Sequence, residues 1–121
     1  MKKRILNVGC GEDTYGTHFI DLYPTRENVI KCDVNRDKFP FKDNYFDEIV
    51  AIELFEHLTN PLNFLEKCYR TLKRNGKLII ITDNAGFLEF SAKFIRVIMK
   101  EFVMLRALLK IGIMHYSHLT T

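Results

Sequence analysis

A chain of 121 residues with 47% hydrophobic side chains is long enough to form one domain around a buried core. The net charge of +3 comes without the clustered basic stripe that indicates nucleic-acid binding. Three distant cysteines, Cys10, Cys32 and Cys68, form no CxxC pair, so reduced thiols in the cytoplasm are predicted rather than a zinc site or disulfides. The apolar runs indicate neither a signal peptide nor a transmembrane helix.

The first predicted element is an apolar strand that runs into two glycines. Ile5, Leu6 and Val8 suit a strand that is covered on both faces, as in a parallel sheet. Gly9 and Gly11 then permit a tight turn and let a flat ligand lie against the main chain. A strand followed by an ordinary turn is the alternative, because a glycine pair alone is weak evidence.

A second strand is predicted over residues 18–24, where Pro24 ends it. The connection between the two strands has room for a loop or a single turn, whereas parallel crossovers usually contain a helix. Thr14 stands where a dinucleotide fingerprint needs its third glycine. Glu12 and Asp13 would repel a pyrophosphate, but they suit a cationic ligand.

Two acidic residues follow at the ends of predicted strands. Asp21 ends the second strand, and Asp33 follows a third strand over residues 28–32. Open parallel sheets bind ligands at the carboxyl ends of their strands, where a carboxylate can accept hydrogen bonds from both ribose hydroxyls. A solvated aspartate is the alternative for each residue alone, and the pair is more specific than either one.

A loop over residues 38–45 precedes a fourth strand over residues 46–53, and His57 follows it. A histidine with a structural role is the main alternative to a functional His57. Asn60 and Pro61 predict a helix N-terminus, and the segment Lys73–Gly76, basic with a final glycine, predicts its end. A fifth strand is expected over residues 77–83.

The tail over residues 87–114 has a helical pattern with one charged face and an apolar remainder. The charged face carries Glu89, Lys93, Arg96 and Lys100. So wide an apolar arc predicts burial in a core or dimer, and a basic amphipathic contact with a membrane surface is the alternative. His115 and His118 would need further ligands to bind a metal, and none are evident, so no metal site is predicted.

At this point the sequence resembles the class I S-adenosylmethionine-dependent methyltransferases, and within them the type 11 group. The resemblance covers residues 5–84 and is carried by four ordered pieces. These are Leu6–Gly11, Phe39–Asp47, Glu56–Leu58 and Leu72–Leu78. Each piece is weak alone, and their order and spacing make the combination specific.

The resemblance implies a Rossmann-like α/β sheet of about five strands, in the order 3-2-1-4-5, with S-adenosylmethionine across its carboxyl edge. Gly9, Cys10 and Gly11 would face the methionine part of the cofactor. The implied ribose-binding acid is Asp21, with Leu22 beside it. Asp33 and Val34 would meet the adenine, and Ile52 and Glu53 would line the methionine end. His57 and Glu53 are the candidates for a catalytic base.

The chain departs from the family in two places. The helix between the first two strands is reduced or absent, and no hairpin of further strands is expected beside the fifth strand. Residues 1–84 are therefore predicted to form the cofactor-binding core, whose fifth strand is left as an open edge. Residues 85–121 are predicted to form a helical tail, a substrate lid or oligomerisation element within the same domain, so a homo-oligomer is expected through residues 87–114.

The sequence thus predicts an S-adenosylmethionine-dependent methyltransferase whose small-molecule or macromolecular acceptor is not specified. A non-catalytic relative that binds the same cofactor is one alternative. A nicotinamide-dependent oxidoreductase is a weaker one.

Overall fold

The fold is one six-stranded sheet with helices, seen in a computed structural model that describes residues 2–83 and 86–110. The strands are β1 (Ile5–Val8), β2 (His18–Asp21), β3 (Val29–Lys31), β4 (Phe46–Ile52), β5 (Leu72–Thr82) and β6 (Gly86–Ser91). A short 3₁₀ helix (Phe55–His57) precedes α1 (Pro61–Thr71), and α2 (Ala92–Lys110) follows β6. The strand order is β3-β2-β1-β4-β5-β6, parallel except for β6. The Rossmann-like α/β prediction is confirmed, and a sixth strand is added.

The main core lies on the helical face of the sheet. Register places Leu6 beside Ile49 and Ile49 beside Leu78, so one row of apolar side chains crosses three strands. Both α1 and α2 pack on β5, and they contact each other. Phe64 and Cys68 of α1 are buried in the cluster that these strand residues form. The apolar runs of the strands and the apolar side of α1 therefore meet, as the sequence periodicity predicts.

The opposite face is covered near β1 by the loop that joins β1 to β2. The fully buried Asn7 donates from Nδ2 to Asp13 Oδ1 (3.1 Å) and to the Tyr15 carbonyl (3.0 Å). The Tyr15 hydroxyl lies 3.1 Å from Glu48 Oε1. The loop thus stands in the place of a crossover helix, which confirms the prediction of a short connection here.

Helix α1 begins as predicted and ends earlier than predicted. Asn60 Oδ1 accepts from the Asn63 N–H at 3.1 Å, and Pro61 is the first helical residue. The expected end at Lys73–Gly76 is wrong, because Leu72 is buried and already pairs with Phe46 in the sheet. The chain approaches closely at Gly76, where an added Cβ would lie 2.8 Å from the Leu72 side chain. This glycine therefore serves sheet packing and not a helix stop.

The start of the tail is a strand and not the predicted helix. Gly86 has φ +73°, and β6 then pairs antiparallel along β5. Glu89 lies opposite Ile79, and its carboxylate pairs with Lys77 Nζ at 3.1 Å. The alternation of side chains across a strand therefore prevails over the helical spacing at residues 87–91. The expectation that β5 is an open edge is wrong, because β6 covers it and is itself the edge strand.

The rest of the predicted tail helix is present as α2, where Ser91 Oγ accepts from the Phe94 N–H at 3.1 Å. The unit of β6 and α2 exposes large apolar side chains: Phe87, Leu88, Phe94, Val97, Phe102, Val103 and Met104. Oligomerisation through this unit stays a prediction. Residues 111–114, His115 and His118 lie outside the described residues. Along the parts of the chain that the structure describes, no helix combines the length and apolarity needed to cross a membrane.

Candidate functional site at the carboxyl edge of the sheet

The predicted glycine turn follows β1 directly. Gly9 has φ +65° and Gly11 has φ +53°, a region of backbone conformation that side chains with a Cβ disfavour. The Gly9 N–H donates to the Ile20 carbonyl at 2.8 Å, which ties the turn to β2. An added Cβ at Gly11 would meet no atom within 4 Å, so open space lies beside that residue.

Asp21 joins this turn to the end of β2. Its Oδ2 accepts from the Gly11 N–H at 2.7 Å, and its Oδ1 accepts from the Tyr23 N–H at 2.8 Å. A carboxylate offers about four acceptor positions, so each oxygen retains capacity for a further donor. Asp21 is half-buried. The glycine turn and the strand-end acid therefore form one hydrogen-bonded unit.

Two residues at this turn were not predicted from the sequence. Arg26 donates from Nη1 to the Gly11 carbonyl (3.3 Å) and from Nη2 to the Asp13 carbonyl (3.1 Å). The Leu54 side chain lies 3.0 Å from where a Cβ on Gly9 would stand. Leu54 immediately follows the predicted fourth strand, which could have marked it, whereas nothing in the sequence around Arg26 does so.

Cys10 belongs to the turn through its backbone. Its side chain is buried with Phe19 and Val29 on the face away from α1, and this burial raises the pKa of the thiol. The neighbouring Asp21 charge raises that pKa further. The thiol is therefore a small apolar group in a core. Leu22, by contrast, is 38% exposed just after β2.

Asp33 and Val34 lie after β3, at the same sheet edge. Asp33 Oδ1 accepts from the Asn35 N–H at 3.0 Å, and the Asp33 N–H donates to Asp37 Oδ2 at 2.8 Å. Val34 is buried, and its carbonyl accepts from Lys67 Nζ at 2.9 Å. This segment is thus fixed to α1 at the edge where β1 and β2 also end.

Glu53 follows Ile52, the half-buried last residue of β4, in a left-handed backbone conformation with φ +54°. Its N–H donates to the Ile81 carbonyl of β5 at 2.7 Å. A hydrogen bond with the Asp83 carboxyl group raises the pKa of Glu53, and the charges of Asp83 and Glu56 act in the same direction. Asp83 was not predicted as a site residue, although it lies at the carboxyl end of a strand just as Asp21 and Asp33 do.

We expect Glu53→Gln to raise the melting temperature at pH 7 and to have no effect below pH 4. A raised pKa in the folded protein favours the protonated carboxyl group, so the stabilising contribution of Glu53 is full below its ordinary pKa near 4.5. In that pH range Glu53→Gln keeps the contribution, because a glutamine amide is a neutral donor like the protonated carboxyl group. With Glu53 that contribution is lost as the pH rises through the folded pKa. Because the site is exposed, solvent screens the two charges and the expected shift at pH 7 is small. Thermal melts by circular dichroism measure it, and an equal shift at both pH values would contradict the pairing.

His57, the other candidate base, lies in the 3₁₀ helix. Its N–H donates to the Leu54 carbonyl at 2.9 Å, and the residue is exposed. Among the described residues, its imidazole has no hydrogen-bond or ring partner. His57 therefore lies three residues after Leu54, which packs against the glycine turn. The His57 ring is free to contact a ligand.

The edge as a whole is acidic. Asp21 and Asp33 lie at the ends of β2 and β3 on one side of β1, and Glu53 and Asp83 follow β4 and β5 on its other side. Arg26 is a cation hydrogen-bonded to the turn between them. Within the described ranges, no three metal-ligating side chains come close enough together to hold an ion. The arrangement suits a cationic organic ligand that carries hydroxyl groups.

Comparisons with known proteins agree with this geometry. The family described as methyltransferase domain matches residues 20–80, just over half of the chain. A ubiquinone biosynthesis O-methyltransferase of Rhodopseudomonas palustris is 26% identical over 84% of this chain and 47% of its own length. An uncharacterized protein of Methanocaldococcus jannaschii is 31% identical over 66% of this chain and 40% of its own. The chain thus spans less than half the length of these curated relatives.

A solved structure gives the same result for the fold. The SAM-dependent methyltransferase from Aquifex aeolicus superposes with a TM-score of 0.53 at 27% sequence identity. The match covers 66% of this chain and 56% of that protein. The Rossmann-like sheet is therefore common to both.

Proposed function

Because this chain belongs to the methyltransferase domain family, we propose that its acidic sheet edge binds S-adenosylmethionine and supports methyl transfer. The observation that carries the proposal is the hydrogen bond of 2.7 Å from the Gly11 N–H to Asp21 Oδ2. It places a carboxylate that could accept hydrogen bonds from ribose hydroxyls directly beside a glycine backbone that a ligand can approach. Neither group alone would distinguish a ligand site from a turn.

The same turn is a poor site for a nicotinamide dinucleotide. Dinucleotide folds place the pyrophosphate at the N-terminus of the helix that follows β1. Here a loop follows β1. Within residues 2–60, the first helical residue is Phe55, which lies after β4. The carboxylates of Asp21 and Glu53 would repel phosphate oxygens, but they favour the sulfonium and ammonium charges of S-adenosylmethionine.

The proposed contacts follow the strand ends. Gly9, Cys10 and Gly11 would approach the methionine part through backbone groups, since the Cys10 thiol is buried elsewhere. Asp21, with Leu22 beside it, would accept hydrogen bonds from the ribose hydroxyls. Asp33 and Val34 would border the adenine. On the other side, Ile52 and Glu53 would line the end that carries the methyl group.

When bound, S-adenosylmethionine supplies a methyl carbon on a positively charged sulfur that an acceptor atom can attack in line. The chain's part is then mainly to position the acceptor. A residue that takes up a proton would help a hydroxyl acceptor, and His57 and Glu53 are the candidates. Glu53 suits this task because its raised pKa makes it a stronger base than an ordinary carboxylate.

Isothermal titration calorimetry with three ligands tests the cofactor. We expect S-adenosylmethionine and S-adenosylhomocysteine to bind and NAD not to bind, because the turn lacks a helix N-terminus for phosphates. Heat from NAD alone would overturn the proposal. If both adenosyl ligands and NAD bind, the carboxylates do not discriminate against a ligand that carries phosphates.

A methyl-transfer screen addresses the acceptor. The Rhodopseudomonas relative is named an O-methyltransferase, so hydroxyl compounds are the first class to test, followed by lipids and proteins. Adenosyl-ligand binding without transfer to any acceptor would favour the non-catalytic alternative. The three free, buried thiols are consistent with a reducing compartment, which supports the cytoplasmic location expected from the sequence.

A further inference from the structure

A separate cavity of about 770 Å³ lies at the amino edge of the sheet, on the side away from the glycine turn. It is formed where α1 ends, β5 begins and α2 begins. Five of its lining side chains are cationic: Arg70, Lys73, Arg74, Lys93 and Arg96. Among the described residues that line it, Asp43 is the one carboxylate. We call it the basic cavity, and its volume is typical of small-molecule sites.

Two of these cations are already engaged. Arg70 pairs with Asp43 at 2.9 Å and donates to the carbonyls of Phe39 and Phe41, both at 2.8 Å. Lys73 Nζ pairs with Asp47 at 3.1 Å. These bonds fix two walls of the basic cavity, and the paired carboxylates offset two of its positive charges.

The other three cations are not engaged. Within residues 2–83 and 86–110, Arg74, Lys93 and Arg96 have neither a hydrogen-bond partner nor an ion-pair partner for their side chains. All three are exposed, and like charges around one cavity repel each other. Helix α2 begins at Ala92 in the same wall, so the positive end of its dipole adds to the potential. An anion with several charges would relieve this repulsion.

Guanidinium groups select among anions by shape. Their planar donor pairs match two oxygens of a phosphate, whereas an ammonium acts as a point charge. Arg74 of β5 and Arg96 of α2 bring two such groups from different elements to one cavity. Tyr69 adds an aromatic ring to the lining.

We propose that the basic cavity binds a ligand that carries two or more phosphate groups, held by Arg74 and Arg96 with Lys93 beside them. The acidic edge at the other end of the strands would repel the same ligand, so this site is distinct from the cofactor site. Two or more phosphate groups occur together in soluble polyphosphates and in lipid headgroups such as that of cardiolipin.

Calorimetry with inorganic pyrophosphate at low ionic strength tests the site on the full chain. A hydrogen bond to a charged group accounts for about a tenfold change in affinity or more, so Arg74→Gln and Arg96→Gln should each weaken binding at least that much. The matched control is Arg106→Gln, which removes the same charge from an exposed position of α2 about 15 Å further along the helix axis. We expect Arg106→Gln to change the affinity less than about twofold.

Vesicle sedimentation separates the two sources of phosphate. Vesicles of phosphatidylcholine with cardiolipin, whose headgroup carries two phosphates, are compared with vesicles of phosphatidylcholine alone. Loss of binding in Arg96→Gln but not in Arg106→Gln supports the site with either probe, and the probe that binds identifies the source. Equal losses in Arg96→Gln and Arg106→Gln would overturn the proposal, because they indicate diffuse charge. Absence of binding to both probes would also overturn it.

Discussion

Phe46→Ala should cost about 3–5 kcal/mol of unfolding free energy, the range found when a fully buried phenylalanine is truncated in a core. The Phe46 side chain is 0% exposed at the start of β4. Its ring centroid lies 4.9 Å from that of Phe41, 5.0 Å from that of Tyr45 and 5.2 Å from that of His18. Losing the ring leaves a cavity and removes these edge-to-face contacts. Denaturation in urea measures the loss.

The matched control is Phe87→Ala, the same truncation on β6, where the side chain is 61% exposed. Surface substitutions of this kind usually change stability by less than about 0.5 kcal/mol. A loss below about 1 kcal/mol in Phe46→Ala would mean that the aromatic cluster repacks around the cavity. A large loss in Phe87→Ala would indicate that a partner or another part of the chain covers β6.

The sequence predicts the parallel part of the sheet because each strand there is a short apolar run ended by polar or glycine residues. The order of β1 to β5 comes from the family resemblance, and the register that joins Leu6 to Ile49 and Leu78 agrees with it. Asn60 and Pro61 predict the start of α1 because capping is a local interaction. Local signals of this kind are carried by a few neighbouring residues.

The predictions of secondary structure are wrong where contacts between residues far apart in the sequence determine the structure. Lys73–Gly76 has the composition of a helix end, but the pairing of Leu72 with Phe46, 26 positions earlier, places it in β5. Phe87–Ser91 fits helical spacing as well as strand alternation, and Lys77 on the neighbouring strand pairs with Glu89. Neither partner is visible in a local window, so periodicity alone cannot choose between the two structures.

The candidate site also contains residues that local signals predict and residues that only distant contacts bring there. Gly9, Gly11 and Asp21 could be predicted because strand-end glycines and acids have a recognisable position in the chain. Arg26 could not, because its contact with the Gly11 carbonyl depends on how the loop after β2 folds back. The buried position of the Cys10 thiol also follows from packing with Phe19 and Val29, which spacing in the sequence does not reveal.

Asp21→Ala should weaken binding of S-adenosylhomocysteine about 10- to 100-fold, the effect of losing about 1.5–3 kcal/mol from a hydrogen bond to a charged group. The structure gives a second reason for weaker binding, in addition to the loss of the proposed ribose acceptor. Asp21 Oδ2 also holds the Gly11 N–H at 2.7 Å, so the substitution releases the glycine turn that would contact the methionine part. Asp21→Asn keeps one carbonyl oxygen as an acceptor, so its affinity should lie between those of the unchanged chain and Asp21→Ala.

Asp43→Ala is the matched control, since it removes a carboxylate at the amino edge, where Asp43 pairs with Arg70. Its affinity for S-adenosylhomocysteine should equal that of the unchanged chain. Circular dichroism must show that Asp21→Ala remains folded at the temperature of the titration, because the Tyr23 N–H also loses its acceptor. An unaltered affinity in folded Asp21→Ala would mean that the carboxylate only orders the turn. The ribose would then be bound by other groups, and the proposed arrangement of the cofactor along the strand ends would be wrong.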